Sequence, residues 1–473
     1  MTDQQPRTRQ ELYDRIRQTS REEVILEEMI RLGFWPAEGE LPTDPADEIR
    51  RRGEIERELN ELYRLNRQIH NETYLKKQVY LQRLEESKRK RQENKERRER
   101  ERQERAEAWR QRKAQEIVYL GDRVSAGLND TEYNQERLES YGLAAYNTAQ
   151  EIANAMGISV GELRFLAFSR KTSPITHYVR FKIPKKTTGD RLISAPMPRL
   201  KKAQHWILTN ILEKVPLHNA AHGFRQGYSI VTNAQPHIGA EIIINFDLKD
   251  FFPSISYKRV KGLFQSLGYS DIAATIFGLI CTEPEVAEVE LDGKTYYVAL
   301  SERHLPQGAP TSPAITNIMC RRLDRRLEHM AEKLGFVYTR YADDLTFSTS
   351  GEFSRHICNI LRRTESIVDH EGFVINEEKT RIMRNTNQQD VTGVVVNSKL
   401  NVDKKTLKRF RATLYQIEKD GLDGKHWGHS GNLLASIQGF ANYVSMINPE
   451  KGAEFQAQIQ RIKEKHGKRK KSV

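Results

Sequence analysis

GFVYTRYADDLTFSTS, Gly335 to Ser350, is the stretch from which the rest of the chain is read. Two apolar, β-prone halves, Val337–Tyr341 and Leu345–Ser348, flank a pair of acids, Asp343 and Asp344. Runs of this kind around a short polar centre predict a β-hairpin with both carboxylates at its tip. Adjacent carboxylates repel, so placing two at a buried tip makes physical sense when a cation offsets them. About a hundred residues earlier, EIIINFDLKDFFPSI (241–255) sets Asp247 at the end of the β-branched run Ile242–Ile244. A carboxylate there, where the chain turns, is well placed to face a cleft. Each aspartate taken alone reads as a cap or turn residue. All three together are the donor set of a phosphoryl-transfer site using Mg²⁺, which prefers hard oxygen ligands.

Composition bounds the setting. The 473 residues carry a net charge of +13, with 30% charged and 37% hydrophobic residues. A positive surplus favours polyanionic partners, because cations that neutralise phosphates release counterions; a basic protein without such a partner is the plain alternative. Cys281, Cys320 and Cys358 form no CxxC pair and suit a reducing compartment better than a disulfide framework. No run reaches the roughly 18 apolar residues of a membrane span, and the first residues show no secretion signal. A cytoplasmic location and no membrane partner are the expectation.

Three regions follow along the chain. Residues 1–130 read as a charged helical extension: REEVILEEMIRLGFWP (21–36) is one short helix, and PAEGELPTDPADE is a linker. From Ile55 to Ala114 there is no glycine or proline, and apolar residues at Ile55, Leu59, Leu62 and Ile69 recur at helical steps. A long exposed helix or coiled coil over 54–116 is expected, laced by pairs such as Glu93 with Arg97 and Glu101 with Arg105. Its surface serves solvation, RNA, a second protein or self-association. In residues 131–398, TAQEIANAMGISVGELRFLAF (148–168) predicts two helices around a glycine turn. Strand-like runs (HYVRFKIP, EIIINFDL, TYYVAL, LTFSTS, VTGVVVN) then alternate with helices, an α+β organisation. Residues 399–473 are helical and end in the basic tail HGKRKKSV.

YADD is similar to the YxDD box of reverse transcriptases, and FDLKDFF resembles their first catalytic box. FKIPKKTTGDRLISAP (181–196) resembles their fingers segment and LPQGAPTSPAITN (305–317) the palm box beside the incoming nucleotide. GFVINEEKTRIM (372–383) resembles the segment leading to the thumb. Five boxes in register over residues 135–460 imply a right-hand polymerase. Its fingers and antiparallel palm sheet would span 131–398 and its helical thumb 399–473.

That resemblance also assigns roles. Asp247, Asp343 and Asp344 match the catalytic, metal-holding triad for two Mg²⁺ ions, with Mn²⁺ able to substitute and the Leu248 carbonyl assisting. Lys185 and Arg191 match residues that grip the triphosphate, although an exposed basic loop would look the same. Gln307 and Tyr341 match nucleotide contacts. Phe252 falls where a ring excludes a ribose 2′-hydroxyl, implying dNTPs, while either Phe251 or Phe252 would also serve as core.

NAQPHIG (233–239) and VTGVVVN (391–397) fit the NAxxH and VTG elements of the retron branch. Asn233, His237, Val391, Thr392 and Gly393 are therefore expected to recognise RNA. Taken singly, His237 is equally a structural histidine and Val391–Gly393 a plain turn. The branch implies reverse transcription of a structured non-coding RNA primed from an RNA 2′-hydroxyl. The product would be a branched RNA–DNA (msDNA) used in anti-phage defence, with a separate effector protein as partner. A maturase-like or non-retron defence reverse transcriptase, or a non-catalytic RNA-binding scaffold, would share many of these residues.

Overall fold

The computed structural model describes residues 8–36, 45–185, 189–428 and 432–466, so most of the expected linker and the end of the basic tail lie outside it. The chain divides into two compact units at Trp109/Arg110. Among the described residues, no helix is long and apolar enough to cross a membrane.

In the first unit, Arg9–Gln18, Arg21–Arg31 and Pro45–His70 form a small helical assembly. Ser20 and Glu23 close a capping box that fixes the start of the second helix. The same Glu23 carboxylate accepts from Arg57 at 2.7 Å. Gly53 lets the helices approach: a Cβ there would lie 2.4 Å from a Glu23 oxygen. The long glycine-free run forms two helices, because Asn71 interrupts it between Pro45–His70 and Glu72–Gln115. The Asn71 side chain accepts from the Tyr74 N–H at 3.2 Å, which starts a new helix instead of continuing the old one. Ile55, Leu59, Leu62 and Ile69 are all exposed.

The second unit is built on a four-stranded antiparallel sheet of order Val337–Tyr341, Asp344–Thr349, Ile242–Asp247, Arg381–Arg384. The strand Ile242–Asp247, apolar but for Asn245 and the terminal Asp247, is central, and successive residues point to opposite faces. Ile242, Ile244 and Phe246 enter one core, with Phe264, Phe277, Leu323 and Leu327 from the covering helices. Ile243 enters a second core with Val391, Val394, Phe410 and the helices Leu433–Ile447 and Pro449–His466. One strand therefore carries the sheet's register and joins palm to thumb. Ile117, Leu120 and Leu128 already belong to the first core.

A long hairpin, Tyr178–Pro184 with Asp190–Pro196, forms the fingers. The expected helix pair is Ala149–Met156 and Val160–Ala167, with Gly157 left-handed at φ 68° between them. Together these elements make the α+β right hand preceded by long helices.

Candidate active site

Register alone brings the three aspartates together. Asp247 is the cross-strand partner of Asp344, and Tyr341 also pairs with Asp344. Ala342 and Asp343 are thus the two residues of the hairpin turn, with Ala342 left-handed at φ 56°. The Asp343 carbonyl accepts from the Leu248 N–H at 3.0 Å, which ties the turn to the end of the central strand.

The electrostatics follow from this crowding. Burial, then repulsion from Asp343 and Asp247, pushes the Asp344 carboxyl up to about 7. Asp343 is also raised, by burial and by Asp247, against the attraction of Lys379 and Arg191. Lys379 donates to both Asp247 oxygens at 3.0 Å. Among the described residues, no three acid, histidine or cysteine side chains are drawn close enough to hold a metal. The Lys379 ammonium offsets part of this negative charge. A site of hard oxygens whose protons are held by mutual repulsion fits a divalent cation, which would take over that compensation. Lys379 escaped the sequence reading, since nothing local distinguishes it from the other bases of NEEKTR.

Around the carboxylates the wall is aromatic. Phe251 is core at 4% exposed, whereas Phe252 is half-buried and its ring lies 6.2 Å from that of Phe224. Phe224 stands 6.5 Å from Tyr341 in turn. Phe224 is half exposed and left-handed at φ 57°, a costly conformation for an aromatic residue. Gly223 beside it touches the turn that carries Asp343: a Cβ would sit 2.6 Å from the Ala342 nitrogen. Neither residue was expected at the site.

Lys185 and Arg191 are exposed on the fingers hairpin, where the Lys185 N–H bonds the Gly189 carbonyl at 2.9 Å. Arg191 is close enough to Asp343 to lower its carboxyl. Gln307 is half-buried, and its carbonyl accepts from Ser194 N–H at 2.7 Å, joining its loop to the same hairpin. Gly308, at φ 117° and 2.9 Å from the Ser194 oxygen by the same construction, leaves no room for a side chain. A hydrogen bond and a charge interaction thus link the fingers hairpin to the palm loop and to the carboxylates.

Asn233, His237 and Val391 are fully buried. His237 bonds Ser348 through Nδ1 at 2.6 Å and Thr339 through Nε2 at 2.8 Å, one hydroxyl from each strand of the hairpin that carries Asp343 and Asp344. Burial, then His222, pushes its pKa down to about 3, so the ring is neutral. Asn233 reaches the Thr392 hydroxyl at 3.5 Å. Val391 pairs with Val394 across Thr392 and Gly393, both at positive φ. Two such residues make the primed turn that suits tight hairpins, and a β-branched threonine there is strained. Gly393 is exposed, and its carbonyl accepts from Tyr443 of the thumb at 3.3 Å.

Behind the hairpin, unanticipated by motif reading, lies a fully buried ion pair. Asp324 accepts from Arg340 Nε at 2.7 Å and Nη2 at 2.7 Å, and from the Tyr338 hydroxyl at 2.9 Å. Arg340 also donates to Asn317 at 3.0 Å and to the Ala342 carbonyl of the hairpin turn at 3.1 Å.

Comparison with known proteins shows the family. Residues 183–396 match the family model of the reverse transcriptase (RNA-dependent DNA polymerase). The retron Mx162 reverse transcriptase of Myxococcus xanthus is 40% identical over 73% of this chain and 75% of its own length. The chain belongs to the retron reverse transcriptases. The retron Mx65 enzyme of the same organism is 42% identical, over 68% of this chain and 74% of its own. The retron Ec86 enzyme of Escherichia coli is 33% identical over 72% of this chain and 98% of its own. This retron reverse transcriptase is an RNA-directed DNA polymerase, so its template is RNA, and its chemistry is of the divalent-metal-dependent kind.

Proposed function

We propose that Asp247, Asp343 and Asp344 are the carboxylates on which DNA synthesis by this enzyme depends. The observation that carries the reading is their convergence through strand register, with Asp344 raised to about 7 by its neighbours. Two Mg²⁺ ions, replaceable by Mn²⁺, would supply activation of the attacking hydroxyl and charge stabilisation of the leaving pyrophosphate. Asp247, Asp343 and Asp344 would hold them, with the Leu248 carbonyl assisting. Lys185 and Arg191 bind the triphosphate of the incoming dNTP, for which an Arg fork is suited. Gln307 and Tyr341 orient its sugar and base, and Phe252, backed by Phe224, excludes a 2′-hydroxyl.

Asn233, His237 and Val391 act from the interior. They hold the catalytic hairpin and the Thr392–Gly393 turn in place, and the exposed edge of that turn meets RNA. In this reading the template is a structured non-coding RNA that also primes from a 2′-hydroxyl. The branched RNA–DNA product works in bacterial anti-phage defence with a separate effector, in the cytoplasm. Residues 1–130 add contacts to RNA, an effector or a second copy.

Sequencing the nucleic acid that co-purifies with the full chain tests the proposal. A covalently branched RNA–DNA is expected. Intron RNA, or DNA of random sequence, would overturn the retron-type product.

A further inference from the structure

The first unit contains a surface that polymerase chemistry does not use. On the helix Glu72–Gln115, Lys88, Arg91, Lys95, Arg98, Arg102 and Arg105 follow one another at alternating steps of three and four residues, and Trp109 continues the series. With 3.6 residues per turn, such steps keep side chains on one stripe. The acids Glu86, Glu93, Glu96, Glu104 and Glu107 fall on the opposite side, and Glu85, Glu99 and Glu101 flank the stripe. All of these residues are exposed.

That no acid stands on the stripe itself is informative. A merely solvated helix of this composition gains most from acids and bases four apart on shared faces. Here the bases that pair in this way lie largely off the stripe, as Arg89 with Glu93 at 3.5 Å and Arg97 with Glu101 at 3.9 Å. Among the described residues, Arg105 alone of the six stripe cations has an acid within ion-pair distance, Glu101 at 3.9 Å. The other five keep their charge available.

What could cover the stripe is narrowed by its chemistry. Steps of three and four are those of a coiled-coil seam, but a seam of six cations repels a second copy of itself. A membrane surface would require an apolar face, and the stripe has no apolar side chain from Lys88 to Arg105. From Lys88 to Trp109 it runs about 32 Å at 1.5 Å per residue, roughly one turn of a nucleic-acid duplex. Trp109, 54% exposed, offers a flat ring for stacking on an unpaired base.

We propose that this face of Glu72–Gln115 docks RNA, its cations tracking the phosphate backbone and Trp109 stacking on a base outside the duplex. Contact to phosphates and shape, without reading base edges, is how double-stranded RNA is commonly bound. The inference rests on the polymerase reading only for the kind of nucleic acid; the site lies outside Arg110–Val473.

The test uses the full chain and a fluorescein-labelled RNA hairpin of 24 base pairs, with affinity measured over a series of KCl concentrations. One variant carries glutamine at Lys88, Arg91, Lys95, Arg98, Arg102 and Arg105. A charge-matched variant carries glutamine at Lys76, Arg83, Arg89, Lys90, Arg97 and Arg100, which lie off the stripe. Glutamine is a good helix former, and circular dichroism checks that helix content is unchanged. Each lost phosphate contact should reduce the slope of log Kd against log salt by roughly 0.7–0.9. The stripe variant is expected to lose about four to five from that slope, and the matched variant about one or less. Equal losses in both would reduce the effect to bulk charge and overturn the proposal. A wild-type slope in the stripe variant would overturn it too, and would point to a protein partner. Binding is read without catalysis, so failure here is distinct from failure of the carboxylate assignment.

Discussion

Removing Asp324 should loosen the catalytic hairpin from behind. Its carboxylate is the counterion of Arg340, and both side chains are fully buried. Burial alone would push the Arg340 pKa down, but Asp324 more than reverses this, so the guanidinium stays charged. In Asp324→Ala that charge is left buried with only the Asn317 oxygen and the Ala342 carbonyl for company. Breaking one side of a buried pair costs about 3–5 kcal/mol. Spread over the roughly 360 residues from Arg110 to Val473, at about 2.1 cal/mol/K of unfolding entropy each, this lowers the melting temperature by roughly 4–7 °C. The double variant Asp324→Ala/Arg340→Met, with no orphan charge, should recover much of the loss. Activity should not recover in parallel, because replacing Arg340 takes away the donor to the Ala342 carbonyl. The assays are thermal melting and primer extension on an RNA template, with kcat expected to fall more than KM rises. If Asp324→Ala melts and polymerises like wild type, the hairpin is not held through this pair.

Four further outcomes follow from the same geometry. Gly223→Ala forces a methyl against the Ala342 nitrogen, so about 1–3 kcal/mol of overpacking and a polymerisation loss of up to about 100-fold are expected in melting and extension assays. Asp344→Asn should raise the melting temperature in chelator while lowering extension with Mg²⁺: a carboxyl raised to about 7 penalises the folded state at higher pH, and asparagine removes that penalty. His237 and His222, depressed to about 3 and about 4, are neutral in the fold and charge on unfolding. Their contribution is therefore complete above about pH 6.5 and lost as pH falls toward the folded values, and His237→Phe should flatten that acid limb of stability against pH. Phe252→Ala should reduce discrimination against ribonucleotides by at least about tenfold in single-nucleotide incorporation.

Much of this was legible in the sequence because it is local. The apolar run Ile242–Ile244, the two halves around Asp343 and Asp344, and Gly157 between two helices announce strand, hairpin and turn within a few residues. Strand register then does the rest, since an antiparallel ladder with the acids at its end places Asp247 opposite Asp344. Other features depend on residues distant in sequence. Arg340 meets Asp324 and Asn317 only because a helix packs behind the sheet, and Lys379 reaches Asp247 across 132 residues. Gly223 and Phe224 sit in AHGFRQG, whose value lies in a backbone approach to Ala342 that no spacing encodes. NAxxH and VTG were visible as motifs, but motifs do not report burial. His237 serves two hydroxyls of the hairpin, and Val391 forms part of the thumb core. Asn71 divides the long helix because its side chain competes for backbone donors, an effect that composition over sixty residues averages away.

The most direct test of the central claim is primer extension by purified Asp343→Asn on an RNA template with dNTPs and Mg²⁺, beside wild type at matched folded concentration. Loss of one of three converging carboxylates removes several kcal/mol of transition-state stabilisation, so incorporation should fall by at least about 100-fold. Extension by Asp343→Asn at the wild-type rate would contradict the account.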